Sequence, residues 1–456
     1  MEKQKSRSSF SGKIGFVLSA AGASVGLGNI WRFPYLAAKY GGGIFLLVYI
    51  LLAITFGYTM IIAETALGRM MRKSPVGVFD AAGGGKRWSF GGWINAIVPM
   101  LIVPYYSTIG GWVIKYLFEY LRGNANEVAK DGYFTEFISG GLSVEIWFLI
   151  FAVITLGIVF AGVRNGIERV SRFMMPILVF LAVIIAVYSM TREGALAGVK
   201  YFLVPNLENF SWMTVVSAMG QMFYSLSIAM GILITFGSYM KEDVEIESAT
   251  KNVEIFDTAI AIMAGLMIIP AVFAFSGGDP ETLKAGPSLM FITIPKVLSS
   301  MGFGTLTGIM FFLLVLFAAL TSAIALTESA VSTFEDEFGW NRHKATIAMS
   351  IVMLVFGTLS TLGYGPLGFI KIIGMQFLDF FDFLTNSVMM PIAALMTCML
   401  VVHIIGIDRI AEEVKKNGAS FRREKIFSFM IKYLCPVFVV IILISSVANV
   451  FGWISM

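Results

Sequence analysis

Charged residues are so sparse along this chain that the gaps between them mark out its elements. Eleven stretches of at least 18 residues carry no Asp, Glu, Lys or Arg: 14–31, 40–63, 88–114, 146–163, 173–191, 209–240, 258–278, 297–327, 345–370, 383–407 and 433–456. Crossing the hydrocarbon core of a bilayer takes about 20 mostly apolar residues in a helix. Each stretch therefore reads as a membrane-spanning helix, spans 1 to 11 in chain order. None alternates as a barrel strand does, and a helix satisfies its own backbone groups in lipid. The expected fold is an all-α integral membrane protein.

Composition agrees. Of 456 residues, 57% are hydrophobic and 14% charged, against about 45–50% and 25% in soluble domains. That excess cannot be hidden in a soluble core. It excludes a soluble enzyme, a nucleic-acid binder and a disordered chain. Of the 33 Lys and Arg residues, 23 fall before span 1 and in every second loop after it. The positive-inside rule then puts the N-terminus in the cytoplasm and, after eleven spans, the C-terminus outside. The net charge of +4 asks for no partner beyond anionic lipid. Cys398 and Cys435 read as core thiols, and His343 and His403 lack a second ligand at metal spacing. No phosphate-binding loop and no nucleophile–base pair at mid-depth occurs, so neither ATP hydrolysis nor enzymatic catalysis is expected.

Two spans are unsuited to be plain anchors. Span 1 carries Gly22-Ala23-Ser24-Val25-Gly26-Leu27-Gly28-Asn29 at mid-depth, then Trp31-Arg32-Phe33-Pro34. Each glycine costs a helix about 1 kcal/mol relative to alanine. A small-residue run also serves close helix packing, but an opened backbone at that depth needs partners, which an ion or zwitterion supplies. Span 6 carries Gln221-Met222-Phe223-Tyr224-Ser225-Leu226-Ser227-Ile228-Ala229-Met230-Gly231. It opens the second set of five spans as span 1 opens the first. Paired broken helices five spans apart point to inverted repeats with a binding site between them. The expected divisions are residues 1–192 (spans 1–5), 193–407 (spans 6–10) and 408–456 (a cytoplasmic loop and an accessory span 11). In span 8, Thr321 and Ser322 either bond back to their own helix or lend oxygens to a hard cation.

These segments resemble the neurotransmitter:sodium symporter family. The resemblance rests on the span 1 motif, Gly41-Gly42-Gly43, Glu64-Thr65-Ala66-Leu67-Gly68-Arg69, Tyr105-Tyr106 and Gln221-to-Gly231. Ala285-Gly286-Pro287-Ser288, Phe317-to-Ser322 and Phe377-to-Asp382 add to it. The matches run in family order from about residue 7 to the end, and eleven spans is the count of some bacterial members. The resemblance implies sodium-coupled import of an amino acid across a bacterial inner membrane by alternating access, with an amino-acid-gated channel or sensor on the same scaffold as the alternative. It implies no protein partner.

It also implies a site. The first of two sodium ions would be held by the Ser24 carbonyl, Asn29, Ser225, Asp257 and the substrate carboxylate. The second would take the carbonyls of Gly22, Val25 and Ala318 and the hydroxyls of Thr321 and Ser322. The substrate carboxylate would meet the Leu27 and Gly28 amides and Tyr106. Its ammonium would meet carbonyls of Ser24, Tyr224 and Ser225 and the Ser227 hydroxyl. Ala23, Ile102, Tyr224, Ala229, Met230, Ser322 and Leu326 would select the side chain, and with no Asp or Arg among them an apolar or aromatic L-amino acid fits best. Asp257 stands where many members carry Asn; read by itself, it is also compatible with an acid at the cytoplasmic end of span 7. As a permanent anion beside the first sodium it would replace chloride, whose family ligands match Tyr49 and Gln221. Arg32 with Asp382 would close the outer gate, under a Tyr106–Tyr224 lid. Arg7 with Asp336, near Tyr239, would close the inner gate, with Phe10 in place of the usual Trp plug. Gly166 and Pro176 match a glycine–proline element whose local unwinding would open a path to the second sodium.

Overall fold

A computed structural model describes residues 8–83, 85–277 and 286–454. Among them every regular element is a helix. Nine are long and apolar enough to cross a membrane: Gly43–Met71, Trp88–Leu121, Gly141–Phe160, Val163–Met190, Ile246–Ser276, Gly304–Phe338, Arg342–Leu362, Phe377–Ile405 and Glu424–Val450. They correspond to spans 2 to 5 and 7 to 11. Span 1 is a pair, Lys13–Ser24 and Gly28–Lys39, bent by 54°. Span 6 is also two pieces, Trp212–Ser225 and Ile232–Ser238. The two interrupted windows are the two with polar and glycine-rich centres.

Burial separates a centre from a shell. The most apolar windows of spans 3 and 8 are 83% and 72% buried, whereas those of spans 4, 5, 9 and 11 are only 33–39% buried. The outer helices spend their apolar surface on lipid, and spans 3 and 8 form the inner wall. Both run well past the length a bilayer needs, at 34 and 35 residues, so they cross it tilted or project beyond it.

The break in span 1 begins where Val25 turns extended, at φ −73° and ψ 94°. The break in span 6 is more strained. Ser227 and Ala229 have φ of 54° and 60° and Gly231 has 68°, a region that L side chains avoid at a cost of order 1–3 kcal/mol. Glu64 of span 2 offsets part of that cost, because its Oε1 accepts the Ala229 amide at 2.8 Å.

Span 2 and the second half of span 6 meet backbone to backbone. A Cβ at Gly68 would lie 1.9 Å from the Ile234 carbonyl oxygen, and one at Gly237 would lie 2.4 Å from that of Thr65. Small residues allow this approach in membranes, and it carries Ile232–Ser238 on span 2. Gly237→Val is expected to lower the melting temperature of the purified protein by several degrees. An unchanged melting curve would show that the two helices need not touch.

Candidate functional site

The two breaks face each other across spans 3 and 8. Between them lies a cavity of about 30 Å³ lined by Ala23, Ser24, Gly26, Leu27, Gly28, Asn29, Ile102, Tyr106, Tyr224, Ser225, Ser227, Met230, Ile232, Ser322 and Leu326. The glycines are sterically required. A Cβ at Gly26 would lie 2.8 Å from Ser322 Oγ and 2.9 Å from the Tyr106 hydroxyl, and one at Gly28 would lie 2.6 Å from the Tyr224 ring. The Leu27 amide donates to the Tyr106 hydroxyl at 3.1 Å, so both polar groups address one point, at the N-terminus of the Gly28–Lys39 half. Such a helix end suits an anion. The Ser227 hydroxyl donates to the Ala23 carbonyl at 3.1 Å and ties the two breaks together.

Ala229 differs from expectation. It is outside the lining, because its backbone turns toward Glu64 instead. Gly26 and Ile232 line the cavity and were not singled out from sequence. Gly26 had a readable signal, the third glycine of the span 1 run. Ile232 had none, since its placement depends on where span 6 resumes.

Beside the cavity, Asp257 is fully buried and well inside span 7 rather than at an exposed helix end. Its Oδ1 accepts from Asn29 Nδ2 at 2.8 Å, Ser225 Oγ lies 2.9 Å from both its oxygens, and the Tyr49 hydroxyl donates to Oδ2 at 3.2 Å. Gln221 donates instead to the Gly28 carbonyl at 3.0 Å. The cluster is a set of hard oxygen donors with one negative charge, which fits a desolvated monovalent cation. Asn29 Oδ1 is turned to the Gly26 amide at 3.1 Å; presenting it to a cation needs rotation of the amide.

A second oxygen cluster is neutral. Ser322 Oγ lies 3.3, 3.0 and 3.4 Å from the carbonyl oxygens of Gly22, Ala23 and Val25. Thr321 Oγ1 lies 3.2 Å from that of Ala318, and a Cβ at Gly22 would sit 3.1 Å from Thr321 Cβ. All five expected oxygens of the second site therefore belong to one junction of spans 1 and 8.

A vestibule of about 540 Å³ opens above the cavity, and Tyr106 and Tyr224 line both spaces. Arg32 and Asp382 both face the vestibule but are not directly ion-paired. The Arg32 guanidinium lies 5.4 Å from the Tyr224 ring centroid, while Asp382 Oδ1 accepts from Tyr105 at 3.2 Å and Asn386 at 2.5 Å. The side chains that would close over the lid are parted here by these competing contacts.

The opposite end is closed. Phe10 is 1% exposed, packs edge-on against Phe16, Phe236 and Tyr239, and donates its amide to the Tyr239 carbonyl at 3.1 Å. Arg7 lies outside the described residues, as does Ala285, so the Arg7–Asp336 pairing has no description. Asp336 Oδ2 accepts the Ser74 amide at 2.5 Å. The Tyr239 hydroxyl donates to Glu328 at 2.7 Å, and Arg342 pairs with Glu328 while bonding the Val159 carbonyl. This Tyr239–Glu328–Arg342 network was not anticipated. Span 5 is wound through Pro176, and its first turn, Val163–Glu168, is a π-turn entered through Gly162 at φ 95°. A Cβ at Gly166 would lie 2.1 Å from the Ile158 carbonyl oxygen, so a bulky residue there would damage packing as well as any unwinding.

Comparison with known proteins settles the family. A model of the sodium:neurotransmitter symporter family matches residues 7–129 and 135–453. The chain belongs to the sodium:neurotransmitter symporter family. Its relatives include an uncharacterised sodium-dependent transporter of Bacillus subtilis, YhdH, 32% identical over 95% of this chain and 96% of the other. A second, from Methanocaldococcus jannaschii, is 30% identical over 90% of this chain and 84% of the other. The sodium- and chloride-dependent glycine transporter 2 of Xenopus laevis is 26% identical; the match covers 91% of this chain and 61% of that transporter. Among solved structures, MhsT in complex with L-phenylalanine aligns with a TM-score of 0.86 at 34% identity, covering 96% of this chain and all of that one. The chain is thus a multi-pass, sodium-dependent symporter with the all-α fold of its family.

Proposed function

We propose that this symporter imports an apolar or aromatic L-amino acid with two sodium ions, without chloride, by alternating access. The cavity between the broken helices carries the reading. Its lining holds backbone ends and neutral side chains, with the buried Asp257 carboxylate beside it, bonded to the lining residues Asn29 and Ser225. The helix end at Leu27 and Gly28 suits a carboxylate, the carbonyl ends of the preceding halves suit an ammonium, and the apolar Ile102, Met230, Ile232 and Leu326 suit an uncharged side chain. The phenylalanine held by MhsT supports the same class. Room for about two water molecules is too little for an amino acid, so the Tyr106–Tyr224 lid shifts on entry.

Asp257 supports chloride independence. Tyr49, which matches a chloride ligand in the family, donates to the Asp257 carboxylate, so a fixed negative charge stands where an anion would. The open vestibule and the closed opposite end fit an outward-facing state, given a cytoplasmic N-terminus and an outside C-terminus in a bacterial inner membrane. Residues 1–192 and 193–407 would rock against each other, with 408–456 as an appendage.

The test is uptake of labelled phenylalanine into proteoliposomes, with the twenty amino acids as competitors. Sodium-gradient-driven accumulation above equilibrium, competed by apolar and aromatic amino acids, is the expected result. Dissipative flux would make the protein a channel, and binding without flux a sensor. Loss of uptake when gluconate replaces chloride would remove the role given to Asp257.

A further inference from the structure

We propose that Glu168 is a positioning residue that latches the N-terminal segment to the first turn of span 5, so that the two release together when the inner side opens. The inference rests on the alternating-access reading above. Glu168 is 2% exposed. Its Oε2 accepts the Ser11 amide at 2.8 Å and its Oε1 accepts the Ser11 hydroxyl. Arg172, one turn on, pairs with the same carboxylate at 2.7 Å and donates to the Ser11 hydroxyl. A Cβ at Gly15 would lie 2.3 Å from Glu168 Oε1, so the chain passes directly over the carboxylate. Lys241 adds a bond to the Ser11 carbonyl at 2.9 Å.

The position of Glu168 makes these bonds more than an anchor. It is the last residue of the π-turn Val163–Glu168 and lies between Gly166 and Pro176. π-turns are rare and recur at functional sites, Gly162 and Gly166 add no side-chain restraint, and Pro176 removes a donor. The first turns of span 5 therefore unwind more readily than an uninterrupted α-helix, and the latch adds to the backbone bonds and buried side chains that hold them. Unwinding carries Glu168 away from Ser11. Conversely, withdrawing the Ser11–Phe10 segment leaves a buried carboxylate short of donors, which favours its escape to water by unwinding. Each event lowers the cost of the other, so the inner side has two stable arrangements.

Met175 reads out the opening. It is fully buried, and its Sδ lies 3.4 Å from where a Gly22 Cβ would be, at the second oxygen cluster. In a background with Cys398→Ala and Cys435→Ala, the purified protein carrying Met175→Cys is labelled with a small thiol reagent, with and without sodium. Sodium is expected to slow labelling in the parent. Glu168→Gln and Ser11→Ala are each expected to speed it about tenfold, the effect of losing one charge-assisted hydrogen bond, and to blunt the sodium effect. The double variant is expected to match the singles, since both cut one latch. A residue that only stabilised the fold would lower the melting temperature and leave sodium protection intact, which would overturn the proposal. So would parental rates in both variants, or a roughly hundredfold, multiplicative effect in the double. Arg172→Gln, at a half-exposed side chain, tests the latch if Glu168→Gln does not fold; faster labelling supports it and parental labelling overturns it. A parent without sodium protection would sink alternating access and the latch with it, whereas a protected parent with unaffected variants sinks the latch alone.

Discussion

Asp257→Asn is expected to make uptake require chloride, where the parent is expected to need none. The substitution keeps the side chain's size and its contacts with Asn29, Ser225 and Tyr49 within hydrogen-bond reach, but removes the only negative charge in the cluster. A cation then has neutral oxygens alone to offset its desolvation. Breaking a buried charge pair from one side costs about 3–5 kcal/mol, which corresponds to roughly a hundred- to several-thousand-fold weaker sodium binding. Chloride can restore part of this by entering beside Tyr49. Sodium titrations of phenylalanine uptake in chloride and in gluconate check the result. The parent should give the same curve in both, and the variant should be near-silent in gluconate. Equal activity of the variant in both media would mean that Asp257 does not supply the compensating charge.

The second large effect is expected from removing Thr321 and Ser322 hydroxyls together. Two of the five neutral oxygens at the junction of spans 1 and 8 are lost. At about 1–2 kcal/mol each, sodium binding there falls by roughly 30- to 1,000-fold, and sodium activation of uptake loses its cooperativity. The folding cost is smaller. The Thr321 hydroxyl bonds only within its own helix, to the carbonyls of Phe317 and Ala318, and Ser322 contributes about one cross-helix hydrogen bond, to the span 1 carbonyls. Sodium titration and a melting curve on the same protein separate the two effects. A fallen melting temperature with unchanged sodium affinity would make both hydroxyls structural.

The charge-free windows located every span, yet they cut the helices at the residues that matter most. Glu64 ends the second window, Asp257 precedes the seventh and Glu328 ends the eighth. All three are fully buried inside helices. A ruler that treats every charge as a boundary reads a buried, partnered carboxylate as the edge of the membrane. The partners come from other spans: the Ala229 amide for Glu64, Asn29 and Tyr49 for Asp257, Tyr239 and Arg342 for Glu328. Glu168 was invisible for the same reason, since Ser11 lies 157 residues away.

Sequence alone determined the all-helical membrane architecture, the two broken spans and the residue types around the site. Those follow from hydropathy and from the cost of glycine and polar groups in a lipid-embedded helix, which are local properties. Tertiary structure decided which face each residue turns. It sent Ala229 to Glu64 rather than to the cavity, parked Arg32 on Tyr224 rather than on Asp382, and brought Ser11 onto Glu168. These outcomes depend on the competition between partners contributed by different helices, and that competition is set only when the helices pack.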